Sequence, residues 1–210
     1  MTTSPLFVAV LSPIFLGERI RRATILGLLL AFSGAILVAA ADSGGSLNSL
    51  GTLLGGSITR RALFGDILAL TGAAAGAGYI MAGRSLRKRI SLLPYVTISY
   101  TSAAVLLTAL VVLLQMPLTA YPPETFLWFL LLALIPQLIA HTSINWALHY
   151  LPAAFVSISL LGEPVGTSIL AYIIFRELPT PLVLAGAGLI FSGIILASRS
   201  NRKFPADDSD

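Results

Sequence analysis

Apolar residues run along this chain in long stretches, broken by short clusters of charge, Gly, Ser and Pro. Seven such stretches cover residues 4–17, 23–41, 64–83, 92–115, 124–148, 152–175 and 181–198. Most supply the roughly 20 residues that carry an α-helix across a bilayer. The pattern predicts an all-α polytopic membrane protein with about seven transmembrane helices. The first stretch is the exception. As a helix, residues 1–16 reach only about 24 Å, short of the roughly 30 Å hydrocarbon core, so this span reads as cut off. Residues 42–63 form a Gly/Ser-rich linker, and residues 199–210 a polar tail expected to be disordered.

Composition supports the same class. The chain is 56% hydrophobic and 10% charged, with mean hydropathy +0.90, whereas soluble domains are about a quarter charged. A net charge of +4 and a pI near 9.8 raise the question of nucleic acid, and the placement of the cations answers it. With alternating spans, Arg19, Arg21, Arg22, Arg84, Arg87, Lys88, Arg89, Arg199, Arg202 and Lys203 share one side, and Arg60, Arg61 and Arg176 the other. The positive-inside rule makes the first side cytoplasmic. Arg19, Arg21, Arg22, Arg84, Arg87, Lys88 and Arg89 then read as topology anchors, and no basic face is left for nucleic acid. The localisation expected is the cell (inner) membrane, multi-pass, with a cytoplasmic C-terminus. Cys is absent, which removes disulfides, thiolate nucleophiles and thiol metal sites. The N-terminus lacks the basic start and small-residue cleavage site of a secretory signal.

An internal repeat organises the chain. Shifting the sequence by 159 residues places Pro5 on Pro164, Leu11 on Leu170, Ile14 on Ile173 and Glu18 on Glu177. Gly27 then falls on Gly186, and Phe32-Ser33-Gly34 on Phe191-Ser192-Gly193. The repeat unit spans five helices, so equivalent positions lie on opposite membrane faces. That is the inverted repeat of secondary transporters, whose sites lie near the midplane. Residues 1–41 form the last two helices of a truncated first repeat, and 64–198 a complete five-helix second repeat. On this symmetry about three helices are expected ahead of Met1.

These features resemble the drug/metabolite transporter superfamily, in particular its EamA-type ten-helix members. The likeness rests on Leu16-Gly17-Glu18 followed by Gly27 and Gly34, on Glu177-Leu178-Pro179-Thr180 followed by Gly186 and Gly193, and on Glu163-Pro164. It implies a carrier of small metabolites in which both repeats wall the cavity. Arg176 stands where the family usually has Gly, read here as a harmless change at the membrane surface.

Candidate chemistry centres on Glu163. A carboxylate halfway along an apolar span normally faces protein or a water-filled cavity. Pro164 beside it breaks the helical ladder, a breach that survives at this depth only where protein or water satisfies it. In the preceding span Gln137, His141, Asn145 and His149 recur every four residues and form one polar stripe. Pro136 would kink that helix. Counting back from the turn at 150–152 sets Glu163 level with Ile139, so Glu163 and His141 are expected to meet. Such a pair would bind a polar substrate or carry a proton, because burial favours the neutral acid and a neighbouring imidazolium the ionised one. The structural alternative is a hydrogen-bonded pair stitching two helices together, and His149 is read as structural. Tyr79, Tyr100 and Trp146 would line the cavity. For Trp146, as for Trp128, an interfacial belt is the favoured reading. Gly72 and Gly76, at GxxxG spacing, and Gly27, Gly34, Gly186 and Gly193 are read as helix-packing positions.

An enzyme is not expected, since Gly83-Arg84-Ser85 has no base nearby in sequence; no HExxH occurs either. No cofactor or metal is called for. The expected function is secondary transport of a small metabolite, by export or exchange, through alternating access and with proton coupling. Glu163, His141, Gln137, Asn145 and Tyr100 would line the site. The partners expected are the bilayer, the metabolite, and a second copy or partner chain. The alternative is a non-transporting remnant, or a subunit completed by a partner.

Overall fold

The computed structural model describes residues 3–42, 60–117 and 121–201. Residues 43–59 of the expected linker and 202–210 of the expected tail lie outside the described residues. Among the described residues every regular element is helical. Six stretches are long and apolar enough to cross a membrane: Arg22–Ala41, Phe64–Arg87, Leu92–Leu113, Pro123–Tyr150, Ala153–Phe175 and Pro181–Arg199. The shorter apolar helix Ser4–Leu16 precedes them. The protein is an all-α polytopic membrane protein.

The elements are α1 (Ser4–Leu16), α2 (Arg22–Asp42), α3 (Arg60–Arg87), α4 (Leu92–Leu113) and α5 (Pro123–Leu132). A π-helical segment, Ala133–His141, follows, and then α6 (Thr142–Tyr150), α7 (Ala153–Leu160), α8 (Glu163–Phe175) and α9 (Pro181–Asn201). Two of these spans are therefore composite, and a proline lies at each interruption. Pro136 has no N–H to give the carbonyl one turn earlier, and the ladder around it widens into π geometry. Pro164 opens the ladder of the next span, which divides into α7 and α8.

The chain divides into two compact units, residues 1–81 with 152–210, and residues 82–151. In the first unit α2 and α9 make the closest helix pair. A Cβ on Gly27 would sit 2.5 Å from the carbonyl oxygen of Gly193, and one on Gly34 2.5 Å from that of Gly186. The reverse contacts hold as well: a Cβ on Gly186 would meet the Gly34 oxygen at 2.7 Å, and Gly193 lies against the Gly27 oxygen. Backbone on backbone this close excludes any side chain. The pairs are reciprocal under the 159-residue shift. The same shift carries α1 onto α8 and α2 onto α9, end to end. Around this pair the core gathers Leu28, Ala31, Val38, Ile158, Leu161 and Ile190, and α7 packs against α1, α2 and α9.

In the second unit α4 packs on α6. Gly83, at the end of α3, lets the Leu148 side chain and the Tyr95 hydroxyl approach, since a Cβ there would meet them at 2.8 and 3.1 Å. Arg84 and Arg87 then reach the C-terminal turns of α6. Arg84 donates through Nη1 to the carbonyls of Leu148 (3.0 Å) and His149 (2.8 Å). Arg87 donates through Nε to that of Asn145 (3.0 Å) and through Nη1 to that of Ile90. Cations at the carbonyl end of a helix satisfy orphan acceptors and oppose its dipole. Arg87 is buried. Two of the arginines read as topology anchors thus also hold helix ends, while Lys88 and Arg89 are exposed.

Candidate helix-break site

Glu163 is the first residue of α8 and lies at the break within the Ala153–Phe175 span. Two tight turns make the break. Leu161 N–H donates to the Ile158 carbonyl (3.0 Å) and Gly162 N–H to that of Ser159 (3.1 Å). Val165 and Gly166 N–H groups both donate to the Gly162 carbonyl, at 3.1 and 3.2 Å, and start α8. Leu160, whose carbonyl Pro164 would have met in an unbroken helix, is instead the last residue of α7. Val165 is buried in the core, whereas Glu163 is exposed. In a chain this apolar, an exposed mid-span carboxylate needs water or a polar partner rather than hydrocarbon.

Along its own span the residues one turn from Glu163 are polar and small. Ser159, Glu163 and Thr167 are all exposed, four residues apart. A Cβ on Gly166 would meet nothing. The hydroxyls are committed locally: Ser159 to the Phe155 carbonyl (3.0 Å), Thr167 and Ser168 to that of Pro164 (2.9 and 2.8 Å). Sequence reasoning missed Ser159 and Thr167, although their spacing from Glu163 carried the signal. In the other repeat Ser4 holds the position of Glu163. It is buried, its hydroxyl has no hydrogen-bond partner among the described residues, and it faces Gly76, whose Cβ would come within 3.4 Å. Gly72 opens onto empty space.

The polar stripe of the second unit divides in two. Gln137 and His141, on the π-helical segment, are exposed. Asn145 is fully buried. The His149 ring bonds through Nδ1 to the Arg87 carbonyl at 2.6 Å. A four-residue step overshoots an α turn and falls short of a π turn, so one stripe does not keep one face across the junction. Tyr100 bridges it: its hydroxyl lies 3.1 Å from the Thr142 hydroxyl and donates to the Gln137 carbonyl at 3.4 Å. Thr142 was not singled out in the sequence. Trp146 and Trp128 are exposed, and Trp146 packs against the Tyr150 ring at 4.9 Å. Glu163 belongs to the first unit and His141 to the second.

A separate groove of about 300 Å³ is lined by Val165, Ile169, Tyr172, Leu178, Val183 and Ala187. Its apolar walls suit packing or hydrocarbon, and Glu163 does not line it. Among the described residues no cluster of three or more His, Cys, Asp or Glu is placed to hold a metal.

Comparison with known proteins gives the following. The family model described as "EamA-like transporter family" matches residues 63–199. The chain is 27% identical over 196 residues to a "Probable terminal-alkyne amino-acid exporter" of Streptantibioticus cattleyicolor, covering 93% of this chain and 61% of that protein. It is 24% identical over 209 residues to an "Uncharacterized transporter" of Archaeoglobus fulgidus, covering 95% of this chain and 66% of that protein. The chain thus spans less than two thirds of the length of either relative. No solved structure matches it.

Proposed function

The chain belongs to the EamA-like transporter family, and on that premise we propose that it is a secondary carrier of a small amphipathic metabolite, coupled to protons through Glu163. The observation that carries the reading is the exposed carboxylate at the α7–α8 break, in the middle of an apolar span. Such a group holds an ammonium or a proton, and exchange of one for the other couples the two fluxes. Ser159 and Thr167 extend the polar row on the same span. On the second unit Gln137 and His141 are further candidate substrate residues, exposed on the π-helical segment that the Tyr100 hydroxyl steadies. Asn145, being buried, supports the stripe from within. One relative is described as a probable exporter of terminal-alkyne amino acids. An amino acid of that kind would offer an ammonium to Glu163 and a short apolar side chain to the surrounding wall. Rocking of one repeat against the other would move the site between the two faces. The protein acts in the inner membrane with its C-terminus cytoplasmic, alone, as a homo-oligomer or with a partner chain.

The test is transport by purified protein in vesicles under an imposed pH gradient. Glu163→Gln keeps size and polarity and removes the titrating proton. Loss of a charged hydrogen bond is worth about 1.5–3 kcal/mol, so the rate should fall by at least about tenfold and lose its pH dependence. Helix content and melting should stay unchanged. An unaltered rate and pH profile in that variant would end the proposal.

A further inference from the structure

Helix α7 has eight residues, enters from Pro152 at φ −57° and ψ 145°, and has no side-chain cap of its own. Its first N–H, that of Ala153, is nonetheless satisfied, because it donates to Oε2 of Glu18 at 3.0 Å. The acceptor comes from 135 residues away in sequence. Gly17, left-handed at φ 64°, ends α1, and Glu18 follows it directly into the turn before α2. A carboxylate at a helix N-terminus satisfies an orphan donor and meets the positive end of the dipole.

We propose that Glu18 is a positioning residue of the carrier. Its carboxylate supplies the cap that α7 lacks, and so fixes the level at which the α7–α8 break presents Glu163. The inference rests on the reading of Glu163 as the transport site, and it adds a control point at the far end of the same half-helix. α7 is short and buried along Ala153, Ala154, Val156, Ser157 and Ile158, so it moves as one piece. Displacement of its first turn is carried to Leu161 and Gly162, where the break lies. The bond joins the turn between the two helices of the first repeat to the start of a helix in the second, where it can hold or release rocking between repeats.

Glu177 provides the internal control. It holds the position of Glu18 in the other repeat, follows Arg176 at φ 61° in the same backbone conformation, and is exposed. Three variants separate the possibilities. Glu18→Ala removes the acceptor, Glu18→Gln keeps a neutral one, and Ala153→Pro removes the donor. Proline suits the first helical position, and Pro152 already has the extended conformation that a following proline demands.

The experiment measures amide exchange across residues 153–160 and transport rate for each variant in lipid nanodiscs and vesicles. Losing such a cap shifts the local equilibrium by roughly tenfold. Glu18→Ala should therefore speed exchange at the start of α7, and lower transport, by about that factor. Glu18→Gln should keep more than half of the rate, and Glu177→Ala should leave exchange in α7 unchanged. Ala153→Pro in the Glu18→Ala background should lower the rate no further, since the bond whose donor it removes is already broken. Exchange at α7 unaffected by Glu18→Ala, or transport within twofold of the parent, overturns the proposal. A further loss from Ala153→Pro in that background does so too. If Glu163→Gln proves silent, the site reading fails by itself, while exchange at Ala153 still reports whether Glu18 caps α7.

Discussion

Arg176 holds φ 61° and ψ 24°, and Gly17, its counterpart in the other repeat, holds φ 64° and ψ 15°. The two residues do the same work: each ends a 13-residue helix in the left-handed conformation and turns the chain toward the next. For glycine that conformation is free of strain, whereas a side chain there costs about 1–2 kcal/mol. The sequence reading of Arg176 as a harmless surface change therefore gives way to one of a strained residue. Arg176→Gly should stabilise the protein by about 0.5–1 kcal/mol, the relief of strain being partly offset by the greater freedom of glycine in the unfolded chain. Thermal unfolding in one detergent checks this, and a lower melting temperature would mean that the Arg176 side chain makes a compensating contact. Residues differ in how far sequence foretells such roles. Glu163 was legible because a lone carboxylate in an apolar run is conspicuous. Glu18 was legible only as a repeated position in the Leu16-Gly17-Glu18 element, since its partner is an N–H on a helix far along the chain.

At the scale of elements, glycines of similar appearance in sequence divide by what they touch. Gly27 and Gly34 on α2 meet the backbone of Gly193 and Gly186 on α9, whereas Gly72 on α3 faces open space. Gly27→Ala should cost about 1–3 kcal/mol, the range for overpacking a tight contact, because the obstacle is a carbonyl rather than a side chain that can swing away. Gly72→Ala should leave stability unchanged or raise it by up to about 1 kcal/mol through helix propensity. Melting curves of the two variants side by side decide it, and equal losses would show that the α2–α9 contact is not special. The 159-residue repeat made the α2–α9 glycines legible, since identity at matched positions points to a shared packing role. GxxxG spacing alone told less, because it records a permissive surface and not what lies across from it. The π-helical segment was half legible: Pro136 announced a disturbance, and only the geometry showed that the ladder widens and carries Asn145 inward.

For the whole molecule, the membrane spans were legible because composition decides them and a long apolar helix has few other environments. The relation between the two units was not, because polar stripes fix which residues share a helix face and leave open which helices meet. The cations provide a global test that bypasses this gap. Ten of the thirteen fall on one side if the spans alternate, and the proposed orientation takes that side as cytoplasmic by the positive-inside rule. Arg84 and Arg87 complicate the bias, since they hold the carbonyl end of α6 and would be required there whichever way the protein inserted. With those two set aside the division is still eight against three, so orientation rests on the turn after α1, on Lys88 and Arg89, and on the C-terminal end. The proposed orientation has α2 entering from the cytoplasm, so the connection after it is expected on the opposite face. A fluorescent reporter fused after Asp210 should fold and emit in the cytoplasm, while a phosphatase inserted in that connection should be active outside it. The reverse pattern would invert every span and place Glu18 on the outer face and Glu177 on the inner. A single location for both reporters would break the alternation on which the inverted repeat depends.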